Sequence, residues 1–217
     1  MNGKLRGRGD TVGKFLVEGR RTLCGRVSIN GAKNSALKLM VAALLGQGSF
    51  KLKNVPSITD VETMAGVLRA LGVHVHFASG HLQLDVSSVQ GQTPEALVKS
   101  MRASVQVMGP LLARLGRVEV ARPGGCNIGS RPLDIHLAGF EQMGATIEVR
   151  GDTFVARAPR LHGADITFRY PSVGATENIM MAATMAKGET IIRNAAREPE
   201  IIDIQDFLNG MGAKIKG

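Results

Sequence analysis

AKNSALKLMVAALLGQGSFKLKNVP, residues 32–56, reads as an apolar helix, a glycine, a short alternating strand and a turn. The same order returns in RASVQVMGPLLARLGRVEVARPGG from Arg102 and in ATENIMMAATMAKGETIIRNAAREP from Ala175. Shifted by 68 residues, Gly48 falls on Gly116 and Met40 on Met108; shifted by 140, Gly48 falls on Gly188, Met40 on Met180, Asn54 on Asn194 and Gly72 on Gly212. Agreement at so many fixed offsets marks three repeats of about 70 residues. Each is a mixed unit of helices and sheet, so the fold class is α/β (α+β).

The segments following Gly72 and Gly144 alternate at period two around turn residues and predict two hairpins. After Gly212 only Ala-Lys-Ile-Lys-Gly remains, which cuts the third hairpin short and predicts one lobe of a larger protein. Thr93-Pro94-Glu95 is a helix start, and Pro110 is expected to kink the apolar helix that holds it. RTLCGRVSI, around Cys24, reads as an alternating strand with a buried cysteine.

A hydrophobic content of 44% allows a sizeable core, and the longest apolar run, 37–45, is too short to span a bilayer. A soluble cytoplasmic protein with no membrane partner is the expectation. The net charge of +9 implies anionic partners. With no Trp and one Tyr there are few stacking platforms, and the cations are scattered, so small anions are favoured over nucleic acid. Two cysteines make no disulfide framework and no zinc spacing, so no metal is expected. His74 and His76 suit a solvated hairpin face, and Met180, Met181 and Met185 a helix core. Glu198 and Glu200 read as helix-start charge, Asp203 and Asp206 as an exposed face.

Chemistry concentrates at equivalent points of the repeats. Asn34, Arg102 and Gly174 coincide under the two shifts, each near a helix start where free N–H groups favour phosphate, with Lys33 and Arg102 adding charge. Each of Asn34, Ser172 and Thr176 could equally be a simple cap. In RPGGCNIGSRP, 122–132, a cysteine lies among glycines and arginines that would lower its pKa, giving a nucleophile or a proton donor.

That loop, with INGAKNSAL at 29–37, NVPSITDVETM at 54–64, MRASVQVMGPLLARLG at 101–116, PSVGATENIM at 171–180 and NAAREPEIIDIQDFLNGMGAKI at 194–215, resembles the UDP-N-acetylglucosamine 1-carboxyvinyltransferases, enolpyruvyl transferases of peptidoglycan synthesis. The resemblance runs from about Phe15 to the C-terminus. It implies one half of an inside-out α/β barrel: a basic extension at 1–13, a strand at 14–30 that in relatives belongs with a second lobe, and a cysteine-loop lobe at 31–217. It also implies enolpyruvyl transfer from phosphoenolpyruvate to UDP-N-acetylglucosamine with release of phosphate, without metal or organic cofactor. Cys126 would be proton donor and site of a covalent adduct, including one with fosfomycin. Lys33, Arg102 and Arg131 would bind phosphoenolpyruvate; Asn34, Arg131, Pro132, Leu133, Asp134, Ile135, Ser172, Val173 and Gly174 would bind the UDP-sugar. The family's catalytic aspartate would lie in the second lobe, a partner absent from this chain, leaving the chain inactive alone. Alternatives are a non-catalytic UDP-sugar or interaction module and, less in keeping with the composition, a basic nucleic-acid binder.

Overall fold

The computed structural model describes residues 19–20, 22–93, 102–122 and 133–217, with 102–104 described by backbone alone. The three repeats emerge as three similar bodies around shared helices. The first holds α1 (Lys33–Ala42), β1 (Gly48–Leu52), α2 (Thr59–Ala70), β2 (His74–Ala78) and β3 (His81–Val86). The second holds a 3-10 segment (Arg102–Val107), α3 (Met108–Leu115), β4 (Arg117–Ala121), α4 (Asp134–Gln142), β5 (Thr146–Arg150) and β6 (Thr153–Arg157). The third holds β7 (Asp165–Thr167), α5 (Val173–Ala183), β8 (Ile191–Arg193) and α6 (Pro199–Gly210).

Both predicted hairpins form, and each takes in the strand before it: the sheets run β1-β3-β2 and β4-β6-β5, all antiparallel, with Phe50 opposite Leu84 and Val120 opposite Phe154. The third sheet is a parallel pair, β7 and β8, and residues 213–217 hold no strand. The second helix of each repeat ends the same way. Gly72, Gly144 and Gly212 take φ of 97°, 92° and 105°, and the next residue donates back to a carbonyl five positions earlier: Val73 to Leu68, Ala145 to Phe140, Ala213 to Leu208. This is a Schellman close, and it requires a left-handed residue that glycine adopts without a Cβ clash. Repetition of that glycine in the sequence therefore reports repetition of the turn.

The first helices, α1, α3 and α5, supply the centre. Met40, Met108 and Met180, equivalent under the shifts, are all buried, and α5 is buried at every position from Ala175 to Ala182. One continuous apolar cluster joins all three repeats. Arg114 crosses between repeats, donating through one Nη to Leu44 O and Gly46 O, both at 2.7 Å, and so satisfies carbonyls beyond the end of α1. Part of the positive charge is thus structural.

Three expectations need correction. Pro110 does not kink a continuous helix: the segment is already split into 3-10 and α portions, and the proline sits in the first turn of α3, where a missing N–H costs nothing. Residues 22–30 form no strand, and Cys24 is exposed, because a strand exists only where a neighbour completes its ladder. Met185 lies past the end of α5 and is 45% exposed. Asp203 is exposed on α6, as expected, but accepts a hydrogen bond from Ser35 Oγ. The helix start at Thr93-Pro94-Glu95 lies outside the described residues beyond Thr93. His74 and His76 lie on the exposed side of β2.

Candidate functional site

The first turn of α1 carries Lys33 and Asn34, and no side chain caps it. Lys33, a cation at the positive end of the helix, is balanced by Asp60 of α2 at 2.8 Å, an exposed pair. Asn34 Nδ2 donates to Glu200 Oε1 of α6 at 2.9 Å. Both side chains are therefore held by acidic partners that an anionic ligand would have to replace. The Ser172 hydroxyl accepts from Ala175 N–H at 3.3 Å and caps α5, while Thr176 Oγ1 donates to Ser172 O and accepts from Ala196 N–H. Capping and ligand approach are compatible here, since Val173 and Gly174 begin the helix with their N–H groups toward its open end.

Gly174 is where the repeats touch. Its carbonyl accepts from Gln106 Nε2 at 3.0 Å, and a Cβ at this position would stand 3.1 Å from that nitrogen and 3.3 Å from His136 Nε2. His136 lies in the first turn of α4, so Leu133, Asp134 and Ile135 are brought next to the Ser172–Gly174 turn. Asp134 pairs with Arg169 at 2.7 Å, Ile135 is buried, and Leu133 is half-buried against the core.

Beneath these turns runs a buried polar network. Lys38 Nζ donates to Glu177 Oε2 at 2.5 Å, with side chains 9% and 0% exposed. Gln106 Nε2 adds a longer contact to the same oxygen at 3.3 Å. Asn178 Oδ1 accepts from Gly109 N–H at 2.8 Å, and its Nδ2 reaches Val105 O at 3.2 Å and His136 Nδ1 at 3.1 Å. Burial pushes the Glu177 carboxyl above its usual range, and the Lys38 ammonium works against that shift. The network ties α1, the 3-10 segment, α3, α4 and α5 together within a turn or two of their starts.

Cys126, Arg131 and Pro132 lie outside the described residues, and Arg102 is described by backbone alone. The structure sets Leu133–Ile135 beside the Ser172–Gly174 turn through His136, and holds Lys33 and Asn34 at the start of α1 through Asp60 and Glu200. Sequence reasoning missed those supports: Asp60, Gln106, His136, Glu177 and Asn178. Lys38 was the available signal, because a lysine on the inward face of an apolar helix demands a buried partner. A wide groove of about 1480 Å³ over the third repeat, lined by Thr176, Met180, Ile192, Ile201 and Ile215 among others, includes none of Lys33, Asn34, Leu133–Ile135 and Ser172–Gly174. No group of metal-ligating side chains and no helix long and apolar enough to cross a membrane occurs among the described residues.

Residues 17–217 match the family described as EPSP synthase (3-phosphoshikimate 1-carboxyvinyltransferase). UDP-N-acetylglucosamine 1-carboxyvinyltransferase 2 from Carboxydothermus hydrogenoformans is 54% identical over 205 residues, covering 94% of this chain and 49% of the relative. The enolpyruvyl transferase NikO from Streptomyces tendae has the same fold at a TM-score of 0.79 and 22% identity, over 89% of this chain and 46% of the other. EPSP synthase from Acinetobacter baumannii superposes at a TM-score of 0.71 and 16% identity, over 89% and 45%. The chain spans about half the length of each.

Proposed function

The chain belongs to the EPSP synthase (3-phosphoshikimate 1-carboxyvinyltransferase) family, and from that premise we propose that it is the cysteine-loop lobe of an enzyme that transfers the enolpyruvyl group of phosphoenolpyruvate to UDP-N-acetylglucosamine. One observation carries the choice of acceptor: 54% identity, across nearly the whole chain, to a relative named for that reaction. The reaction places the enzyme in the cytoplasm, at the entry to peptidoglycan synthesis.

In the proposed mechanism the sugar hydroxyl oxygen bonds to C2 of phosphoenolpyruvate while Cys126 delivers a proton to C3, giving a tetrahedral adduct. Loss of a proton from C3 and of phosphate from C2 then restores the double bond. The cations Lys33, Arg102 and Arg131 hold the phosphate and carboxylate, which calls for several full charges around a polyanion. Asn34, Arg131, Pro132, Leu133, Asp134, Ile135 and the Ser172-Val173-Gly174 turn hold the UDP-sugar. Release of Lys33 from Asp60 and of Asn34 from Glu200 accompanies binding. The base that takes the hydroxyl proton belongs to a second lobe, and no cofactor is required.

Three measurements test the reading. Phosphate release from the two substrates should be negligible for the 217-residue chain and appear when a separately expressed second half from a relative is added. Losing the base alone costs about 10²–10⁴-fold. Isothermal titration should show weakened but measurable UDP-N-acetylglucosamine binding, weaker still in Arg131→Ala, and fosfomycin should label Cys126 ahead of Cys24. Absence of binding at millimolar ligand would overturn the site assignment. Binding without turnover in the presence of the second half would instead favour a non-catalytic UDP-sugar module, the reading that half-length coverage of the relatives keeps in play.

A further inference from the structure

Gln106 lies in the 3-10 segment of the second repeat, 3% exposed, between the buried Val105 and Val107. Asn178 of α5 fixes that segment lengthwise, since its Oδ1 accepts from Gly109 N–H and its Nδ2 donates to Val105 O. The Gln106 side chain then meets the first turn of α5. Its Nε2 donates to Gly174 O at 3.0 Å and makes the longer contact with Glu177 Oε2 at 3.3 Å. These two acceptors assign the orientation of the amide, because the flipped group would set its oxygen against both. Glu177 is braced in turn by Lys38 of α1 at 2.5 Å.

The arrangement costs stability. Gln106 Oε1 and Glu177 Oε1 are buried and accept no hydrogen bond among the described residues. An apolar side chain of equal volume would carry no such penalty, so the amide is not explained by packing. What it supplies is position. The peptide unit between Gly174 and Ala175 is gripped at both ends, its carbonyl by Gln106 and its N–H by the Ser172 hydroxyl at 3.3 Å. The following N–H, of Thr176, closes on Ser172 O at 2.9 Å. Gly174 has no side chain with which to anchor the turn, and a Cβ there would stand 3.1 Å from the Gln106 amide, so the grip comes from the second repeat. With that peptide plane fixed, the N–H groups of Val173 and Gly174 at the open end of the helix keep one direction.

We propose that Gln106 is the positioning residue of the Ser172–Gly174 turn, setting the N–H groups that receive the UDP-sugar, with Glu177 and Lys38 bracing Gln106. The role in binding rests on the assignment of that turn to the UDP-sugar made above.

Gln106→Met keeps the volume and removes the donor. In the ligand-free, nitrogen-15-labelled chain the Ala175 and Thr176 amides should exchange about fivefold to tenfold faster than in the parent, the worth of one net hydrogen bond. Amides of the central strands β3 and β6 and the guanidinium unfolding midpoint should stay as they were, because the variant also removes the unpaired Oε1. Calorimetric titration with UDP-N-acetylglucosamine should show affinity lowered by about the same factor. Unchanged exchange at Ala175 and Thr176 would overturn the proposal, with or without ligand binding. So would acceleration of all amides together, the mark of general loss of stability, or a variant that exchanges faster yet binds the sugar nucleotide as tightly as the parent. A parent chain that binds no UDP-N-acetylglucosamine would sink the ligand assignment instead, and exchange at Ala175 and Thr176 would then decide by itself whether Gln106 sets the turn.

Discussion

Lys38→Met isolates the cost of a buried carboxylate. Methionine retains most of the lysine stem, so packing changes little, but Glu177, 0% exposed, is left with a single 3.3 Å contact from Gln106. The carboxyl escapes by taking a proton. At pH 7 that costs at most 2.5 pH units from its ordinary value of 4.5, at about 1.36 kcal/mol each, or up to about 3.4 kcal/mol, since burial already raises the same carboxyl in the parent. Breaking a buried pair by removing one partner costs about 3–5 kcal/mol in general, in agreement. The pH dependence has a definite sign. A carboxyl whose folded pKa lies above its unfolded value binds more protons when folded, so the variant's deficit is full near neutrality and shrinks as pH falls toward 4.5. At pH 5 it should be under about 1 kcal/mol by the same arithmetic. Guanidinium unfolding of parent and variant at pH 7 and pH 5 measures this. Lys38→Met with Glu177→Leu should recover stability to within about 1 kcal/mol of the parent, since Gln106 keeps its bond to Gly174 O. A deficit equal at both pH values, or a double variant as unstable as the single one, would refute the account.

Gly109→Ala would drive a methyl into the backbone and side-chain oxygens of Asn178, and should cost about 2–3 kcal/mol or more in the same unfolding assay. Gly210→Ala meets nothing within 4 Å in the last turn of α6 and should stabilise by about 0.5–1 kcal/mol, read as a raised Tm. The Arg193 guanidinium, bonded to both carboxylate oxygens of Asp165, holds that carboxyl below its ordinary 3.8. The pairing is present above that value and lost as pH falls through the lower folded one. A carbon-13 titration of Asp165 should therefore move up toward 3.8 in Arg193→Gln, and an unchanged midpoint would exclude the arginine as cause.

The repeat was legible because its signals are local: Gly72, Gly144 and Gly212 close three helices by one backbone rule, and Asn54 and Asn194 both turn left-handed, at φ of 58° and 53°. The two hairpins were legible for the same reason. The supports of the candidate site were not, because they join residues far apart in sequence, Lys38 to Glu177 and Gly109 to Asn178. Alternation in RTLCGRVSI predicts a strand that residues 22–30 do not form. It is silent on which edge completes the ladder, so Cys24 was placed inside when it lies in water. Lys33 and Asn34 were found from their positions at a helix start, whereas the acids that hold them, Asp60 and Glu200, come from other helices with no motif to announce them.

The single apolar cluster beneath α1, α3 and α5 sets how the molecule responds to being cut. Each repeat offers the other two a face that it cannot bury alone, so in polymer terms the protein is an assembly of three short chains whose connecting loops maintain a high local concentration. A break between repeats removes that concentration and leaves every contact available. A nicked molecule would then hold together in strong solution and come apart on dilution, and the ease with which its parts rejoin would measure how much of the fold's cohesion resides in the packed helices and how much in the covalent thread.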